Sequence, residues 1–171
     1  MDAKRVTNLA ALFLIIASGF WFSGCATTAV ERTNEGIICE GRLKNNVRDG
    51  QWHCRYPNGK IQSVAHYKNG LKEGSSKSWK PNGDLTSTAQ WHRGLLSGPS
   101  IVFGPKRQPV MESNYQNGVL QGTEREWFAN GRLKQIIHFH NGHMEGSIKQ
   151  WNRNGDIVSD RTVYEEKSGS K

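Results

Sequence analysis

The sequence predicts an all-β chain, an elongated single-layer antiparallel meander built from 24-residue β-hairpin repeats. Three observations carry that prediction. Glycines stand at positions 50, 74, 98, 122 and 146, each 24 residues from the next. Asn-Gly pairs recur at two phases of the same interval, as Asn58-Gly59, Asn82-Gly83, Asn130-Gly131 and Asn154-Gly155, and as Asn69-Gly70, Asn117-Gly118 and Asn141-Gly142. Both residues tolerate the positive φ of tight hairpin turns. Between turns the apolar residues fall largely at every second position, as in Ile61, Ala65 and Tyr67 or Leu133, Ile137 and Phe139, which is strand periodicity.

Composition agrees. At 171 residues the chain has room for one domain. Hydrophobic residues make up 35% and glycine 19 residues, a poor basis for long helices. Six tryptophans and an aromatic content of 9% argue against wholesale disorder. The formal charge of +8 calls for an anionic neighbour such as membrane lipid, polyanionic glycan or nucleic acid, without choosing among them.

The elements follow in order. Lys4 and Arg5 precede an apolar run from Leu9 to Phe22, too short to span a bilayer and matched to the apolar core of a secretory signal. The run ends in Phe22-Ser23-Gly24-Cys25, which resembles the lipobox of bacterial lipoproteins, with Phe22 in place of the usual Leu. The resemblance implies cleavage of residues 1–24, acylation of Cys25 and a lipid-anchored place in the bacterial cell envelope. Ala26, not Asp, implies the outer membrane where there are two. The other reading is an ordinary secretory signal with a free Cys25. Residues 25–35 read as a polar tether, 36–164 as the repeat array and 165–171 as a disordered tail.

Within the array, thirteen of the 19 glycines fall on three phases of the period. Trp79, Phe103, Trp127 and Trp151 share one further phase, and Tyr67, Trp91, Tyr115 and Phe139 another. Such a period marks a repeat array, whose units stack because one hairpin alone is marginal. Four full units with a partial one at each end predict ~10 strands spanning ~45 Å.

The unit Gly122-Thr-Glu-Arg-Glu-Trp127-Phe128-Ala-Asn130-Gly131-Arg-Leu133, running on to Phe139-His-Asn141-Gly142, resembles the MORN repeat. It is most similar to the bacterial variant in proteins labelled YwqK-like antitoxin components. The resemblance implies a scaffolding, membrane-proximal or protein-binding array over residues 36–164.

Gly104-Pro105-Lys106-Arg107-Gln108-Pro109 replaces the Pro-Asn-Gly turn of the third unit. Proline cannot donate to a central ladder, so this tip is expected to be irregular. It is either a decayed repeat or a stiff basic loop, Lys106 and Arg107, that touches an anionic partner.

Cys39 and Cys54 sit on two arms of one hairpin, at similar distances from a tip near Asn46 and Val47. An exported chain meets an oxidising compartment, so a disulfide is expected. Two buried free thiols are the alternative, because a one-residue slip would turn them to opposite faces. His138, His140 and His143 invite a metal but lie near only one acid, Glu145, and read as surface histidines. Glu124 and Glu126 read as a solvated face rather than a catalytic pair. No nucleophile elbow, phosphate loop or zinc motif is present. The expectation is therefore a non-catalytic chain with no metal and no cofactor.

The row Trp79, Phe103, Trp127 and Trp151 is either packing between units or, on a wet face beside Lys and Arg, a surface for glycan rings or a peptide. Basic residues near the turns (Lys60, Lys68, Lys72, Lys80, Arg93, Lys106, Arg107, Arg132 and Lys134) form a stripe if they share a side, and mere solubilising charge otherwise. Two functions follow. One is a membrane-tethered binding or scaffold module of the envelope, with a protein, glycan or anionic lipid partner and no nucleic acid. The other, from the family label, is an antitoxin or immunity-type protein that neutralises a toxin.

Overall fold

The computed structural model describes residues 27–164. They form one open antiparallel sheet of thirteen strands. The strands are β1 (Thr27–Arg32), β2 (Ile38–Lys44), β3 (Val47–Arg55), β4 (Ile61–Lys68), β5 (Leu71–Trp79), β6 (Leu85–His92), β7 (Leu95–Phe103), β8 (Pro109–Gln116), β9 (Val119–Leu120), β10 (Gly122–Trp127), β11 (Leu133–His140), β12 (His143–Trp151) and β13 (Ile157–Val163). Each pairs with the next, except that β8 pairs with both the short β9 and β10. The all-β repeat meander is thus as expected.

Two expectations are corrected. There are thirteen strands rather than about ten, and the array starts earlier than residue 36. Residues 27–32, read as tether, form β1 in register with β2 from Thr27↔Leu43 to Arg32↔Ile38. Arg48 supplies one reason, bonding the Glu31 carboxylate across two strands. Ala29 supplies another by packing on the buried cluster of Ile37, Cys39 and Trp52. Residues 1–24, expected to be a signal segment, Cys25, and residues 165–171, expected to be a tail, lie outside the described residues.

The meander puts its turns on two margins. Turns at 45–46, 69–70, 93–94, 117–118 and 141–142 line one, here the near margin. Both central residues of these turns have positive φ, for example Asn69 at 51° and Gly70 at 82°, which matches the twist of the flanking strands. The far margin carries the turns at 57–59, 81–83, 129–131 and 153–155, with the tip at 105–107 among them. There Asn58 Nδ2 donates to the Pro81 carbonyl at 2.9 Å, and Asn130 Nδ2 to the Arg153 carbonyl at 3.3 Å, linking successive tips.

The 24-residue glycines mark irregularities inside strands, not turns. Near Gly50, Gly74, Gly98 and Gly146 the second arm of a hairpin carries two extra residues, for instance Ala65↔Ser76 followed by Tyr67↔Lys72. These glycines have φ between 75° and 106°, a region that other residues enter only with strain. Each such bulge bends and twists the sheet locally.

Buried side chains are few, as a single layer requires. Trp52 is 2% exposed and Ile148 2%, with Ile37, Cys39 and Ala65 next. Trp52 lies across Gly41, where an added Cβ would fall 2.5 Å from the indole. Trp52 Nε1 donates to the Arg42 carbonyl at 3.1 Å, Arg48 stacks on its ring at 4.3 Å, and Tyr67 meets it edge-on at 6.3 Å. The N-terminal end of the array thus has its own small core.

Cys39 and Cys54 are disulfide-bonded and directly opposite, with Cα atoms 4.0 Å apart. The first bulge causes this pairing. Near the tip Lys44 faces Val47, but two extra residues on β3 move Cys54 into line with Cys39.

Candidate binding surfaces

The sheet has two unlike faces. On the front, direct partners across the strands run Gly41, Trp52, Ala65, Ser76, Ala89, Ser100 and Ser113. Small residues there admit the flanking aromatic row of Tyr67, Trp91, Tyr115 and Phe139. Trp91 Nε1 donates to Ser76 Oγ at 2.8 Å. The residue across from each ring is Lys72, Leu96, Leu120 or Met144 in successive units. Lys72 Nζ sits 4.3 Å over the Trp91 ring. Burial there, with the Arg48 charge nearby, holds the Lys72 ammonium below its usual pKa. This row is packing: each ring is half-buried and has a partner.

The back face carries Trp79, Phe103, Trp127 and Trp151 at the ends of β5, β7, β10 and β12, next to the far-margin tips. All four are half-buried. A register shift precedes each one and sets it opposite Leu85, Pro109, Leu133 or Ile157. The four therefore share one column but do not stack ring on ring, because an aliphatic residue on the intervening strand separates neighbours. Below Trp79 lies an open hollow of about 290 Å³, lined by Gln51, Val64, His66, Ser75, Ser76, Lys77 and Trp79. The side chains of Gln51, His66, Ser75 and Lys77 are exposed.

The third tip is irregular, as expected. Pro105–Arg107 form a single 3-10 turn in which Lys106 and Arg107 have φ of 59° and 58°. Gly104 donates its amide to the Gln108 carbonyl at 2.8 Å, which keeps the hairpin closed. Both basic side chains are exposed.

The basic residues do not make one stripe. Lys60, Lys80, Lys106, Arg107, Arg132 and Lys134 lie at the far margin, whereas Lys68, Lys72 and Arg93 lie at or beside the near one. Several are also engaged: Lys60 Nζ bonds the Asn82 carbonyl at 2.8 Å, and Lys134 pairs with Glu126 at 2.7 Å.

The near margin holds a feature that sequence reasoning missed. Val47, Leu71, Leu95 and Val119 are 39 to 50% exposed and stand 24 residues apart, each opening the strand after a turn. Each lies against the glycine of the next turn, the closest approach to an ideal Cβ there being 3.3 Å for Val47, Leu71 and Val119. The result is a continuous aliphatic ridge. Its period was readable, but a lone Val or Leu after a turn reads as ordinary strand start.

The candidate chemical residues are not assembled into a centre. His138 bonds Thr123, and His140 bonds Glu145 at 2.9 Å. Glu124 accepts from Ser113 Oγ at 2.7 Å. Among the described residues no three His, Cys, Asp or Glu side chains cluster as metal ligands.

An open array of stacked hairpins with extended faces defines a repeat protein of the binding or scaffolding class. A family model described as "MORN repeat variant" matches residues 48–69 and 120–141. The two matches start 72 residues apart, three periods, so they frame the same phase of the repeat. No curated protein matches the chain. Repeats of this kind generally bind rather than catalyse.

Proposed function

We propose that this chain is a non-catalytic binding module of the bacterial cell envelope, tethered to its membrane through an acylated Cys25. The observation that carries the reading is where the array begins. Thr27 pairs with Leu43 beside the 45–46 turn, at the near margin. Only Ala26 stands between it and Cys25, two residue steps with a reach of at most ~7 Å. An anchor at Cys25 holds the near-margin corner of β1 at the membrane surface, and contact of the aliphatic ridge with Lys44, Lys68 and Arg93 lays the rest of that margin along it. Acyl chains supply ~0.8 kcal/mol per buried methylene and hold best with a second signal, which ridge and basic residues provide. The far margin, one strand length away at roughly 25 to 30 Å, is then left facing the surroundings. Lys106 and Arg107 lie there, so an adjacent anionic bilayer does not suit them and a partner away from the membrane does.

The test is lipidation. The parent should incorporate labelled fatty acid and enter the detergent phase, and Cys25→Ala should do neither. Equal retention of that variant with the membrane would sink the tether. The antitoxin or immunity reading rests on the family label alone. It requires that deletion sensitise a cell to a toxin from its siblings.

A further inference from the structure

We infer that the back face along the far margin is a binding site for an acidic polysaccharide, a chain of sugar rings bearing carboxylates. This rests on the binding-module reading and names its ligand class. The hollow at Trp79 has the chemistry of a sugar site. A pyranose ring offers a flat C–H face and a rim of hydroxyls. The hollow offers an indole, with the exposed polar ends of Gln51, His66, Ser75 and Lys77 around it. Val64 and Trp79 are the apolar residues of its lining, and the other five carry polar groups that can meet the hydroxyls.

Charge selects the acid. Lys77 is exposed, and no carboxylate lines the hollow. The pattern recurs: Lys77 two residues before Trp79, Arg125 before Trp127 and Lys149 before Trp151. Arg125 lies 4.0 Å from Glu112, and Lys149 lies 3.4 Å from Asp160, in open pairs that hold weakly and exchange readily. In the third unit Ile101 and Phe103 stand instead, and the cations move to the tip as Lys106 and Arg107. Successive units are two strands apart, about 10 Å. The surface is thus an evenly spaced row of aromatic positions with a cation beside three of the four, suited to a linear polymer of repeating rings that carries charge.

The test uses the full chain in detergent and two cellulose ethers on the same glucan backbone, carboxymethyl and hydroxyethyl. Titration at physiological ionic strength should show the carboxymethyl polymer bound about tenfold tighter, which is the electrostatic part. Trp79→Ala and Trp127→Ala should each weaken it about fivefold or more, on the scale of ring stacking. Lys77→Glu should weaken it too, with an unchanged thermal melt. If Trp79→Ala lowers the melt, the exposed Lys77→Glu carries the test. Parent-like binding by both tryptophan variants, or by Lys77→Glu, would overturn the site and leave only diffuse charge attraction. Equal or tighter binding of polyglutamate, or of single-stranded DNA, would assign the face to an acidic protein or nucleic acid instead. The assay contains no membrane, so it fails independently of the tether, and loss of the tether leaves its result standing.

Discussion

Arg107→Gly should stabilise the protein. Arg107 occupies the phase that Gly59, Gly83, Gly131 and Gly155 hold in the other units, where φ runs from 80° to 99°. Arg107 itself sits at φ 58° and its neighbour Lys106 at 59°. A side chain in this region costs about 1 to 2 kcal/mol. Glycine removes that strain but adds about 0.5 to 1 kcal/mol of unfolded-chain entropy. The net gain, from the middle of these ranges, is about 0.5 to 1 kcal/mol, a rise of roughly 1 to 4 °C in melting temperature for a chain of this size. Lys106→Asn combined with it should rise a little further, since Asn tolerates the region and stands at this position in the other units. The assay is a thermal melt followed by far-ultraviolet circular dichroism, checked by urea unfolding. A lower melt would refute the reasoning, because the arginine side chain would then be holding the turn. The same double variant should bind carboxymethyl cellulose more weakly, so stability and binding would move in opposite directions.

Three further outcomes follow. Reduction of Cys39–Cys54, whose cysteines are 15 residues apart, should lower stability by up to ~3 kcal/mol, and neither cysteine of the unfolded, unreduced chain should label with a thiol reagent. Gly41→Ala should destabilise by about 1 to 3 kcal/mol, because the new methyl meets the Trp52 ring at 2.5 Å and the ring is fixed on its other sides; an unchanged melt would show that Trp52 can move. Glu73 is held below the usual carboxylate range by the Arg93 backbone amide at 2.9 Å and by His92 at 3.0 Å. A depressed acid stabilises the fold above its unfolded pKa and loses that contribution as pH falls through the folded value. Glu73→Gln should therefore flatten the acid limb of a stability-against-pH curve below about pH 4.5, and an unaltered limb would contradict the assignment.

Much of the fold was legible because turn chemistry repeats. Asn-Gly at fixed intervals dictates where the chain reverses, and alternation between turns dictates strands. The disulfide was legible for the same reason, although its register depended on a two-residue bulge at Gly50 that spacing alone does not show. Strand β1 was not legible. Thr27, Thr28, Glu31 and Arg32 look like linker, and what orders them is distant in sequence: Arg48 across the sheet and the cluster around Trp52. Trp52 itself falls at a phase occupied elsewhere by Ser76, Ser100, Glu124 and Ile148, so no periodicity marks it as buried. The candidate binding surfaces were half legible. The aromatic row was visible as a phase, but its face was not, because the register shifts before Trp79, Phe103, Trp127 and Trp151 depend on strand pairing.

The orientation proposed for the array, near margin to the membrane, is the claim that one measurement tests most directly. Single labels at Leu95→Cys, on the near margin, and at Asn82→Cys, on the far margin, can be compared in membranes containing a lipid-borne quencher. Two margins separated by roughly 25 to 30 Å should respond differently, with the label at position 95 quenched and the label at 82 not. Equal quenching of the two, or stronger quenching at position 82, would contradict a sheet held to the membrane by its near margin.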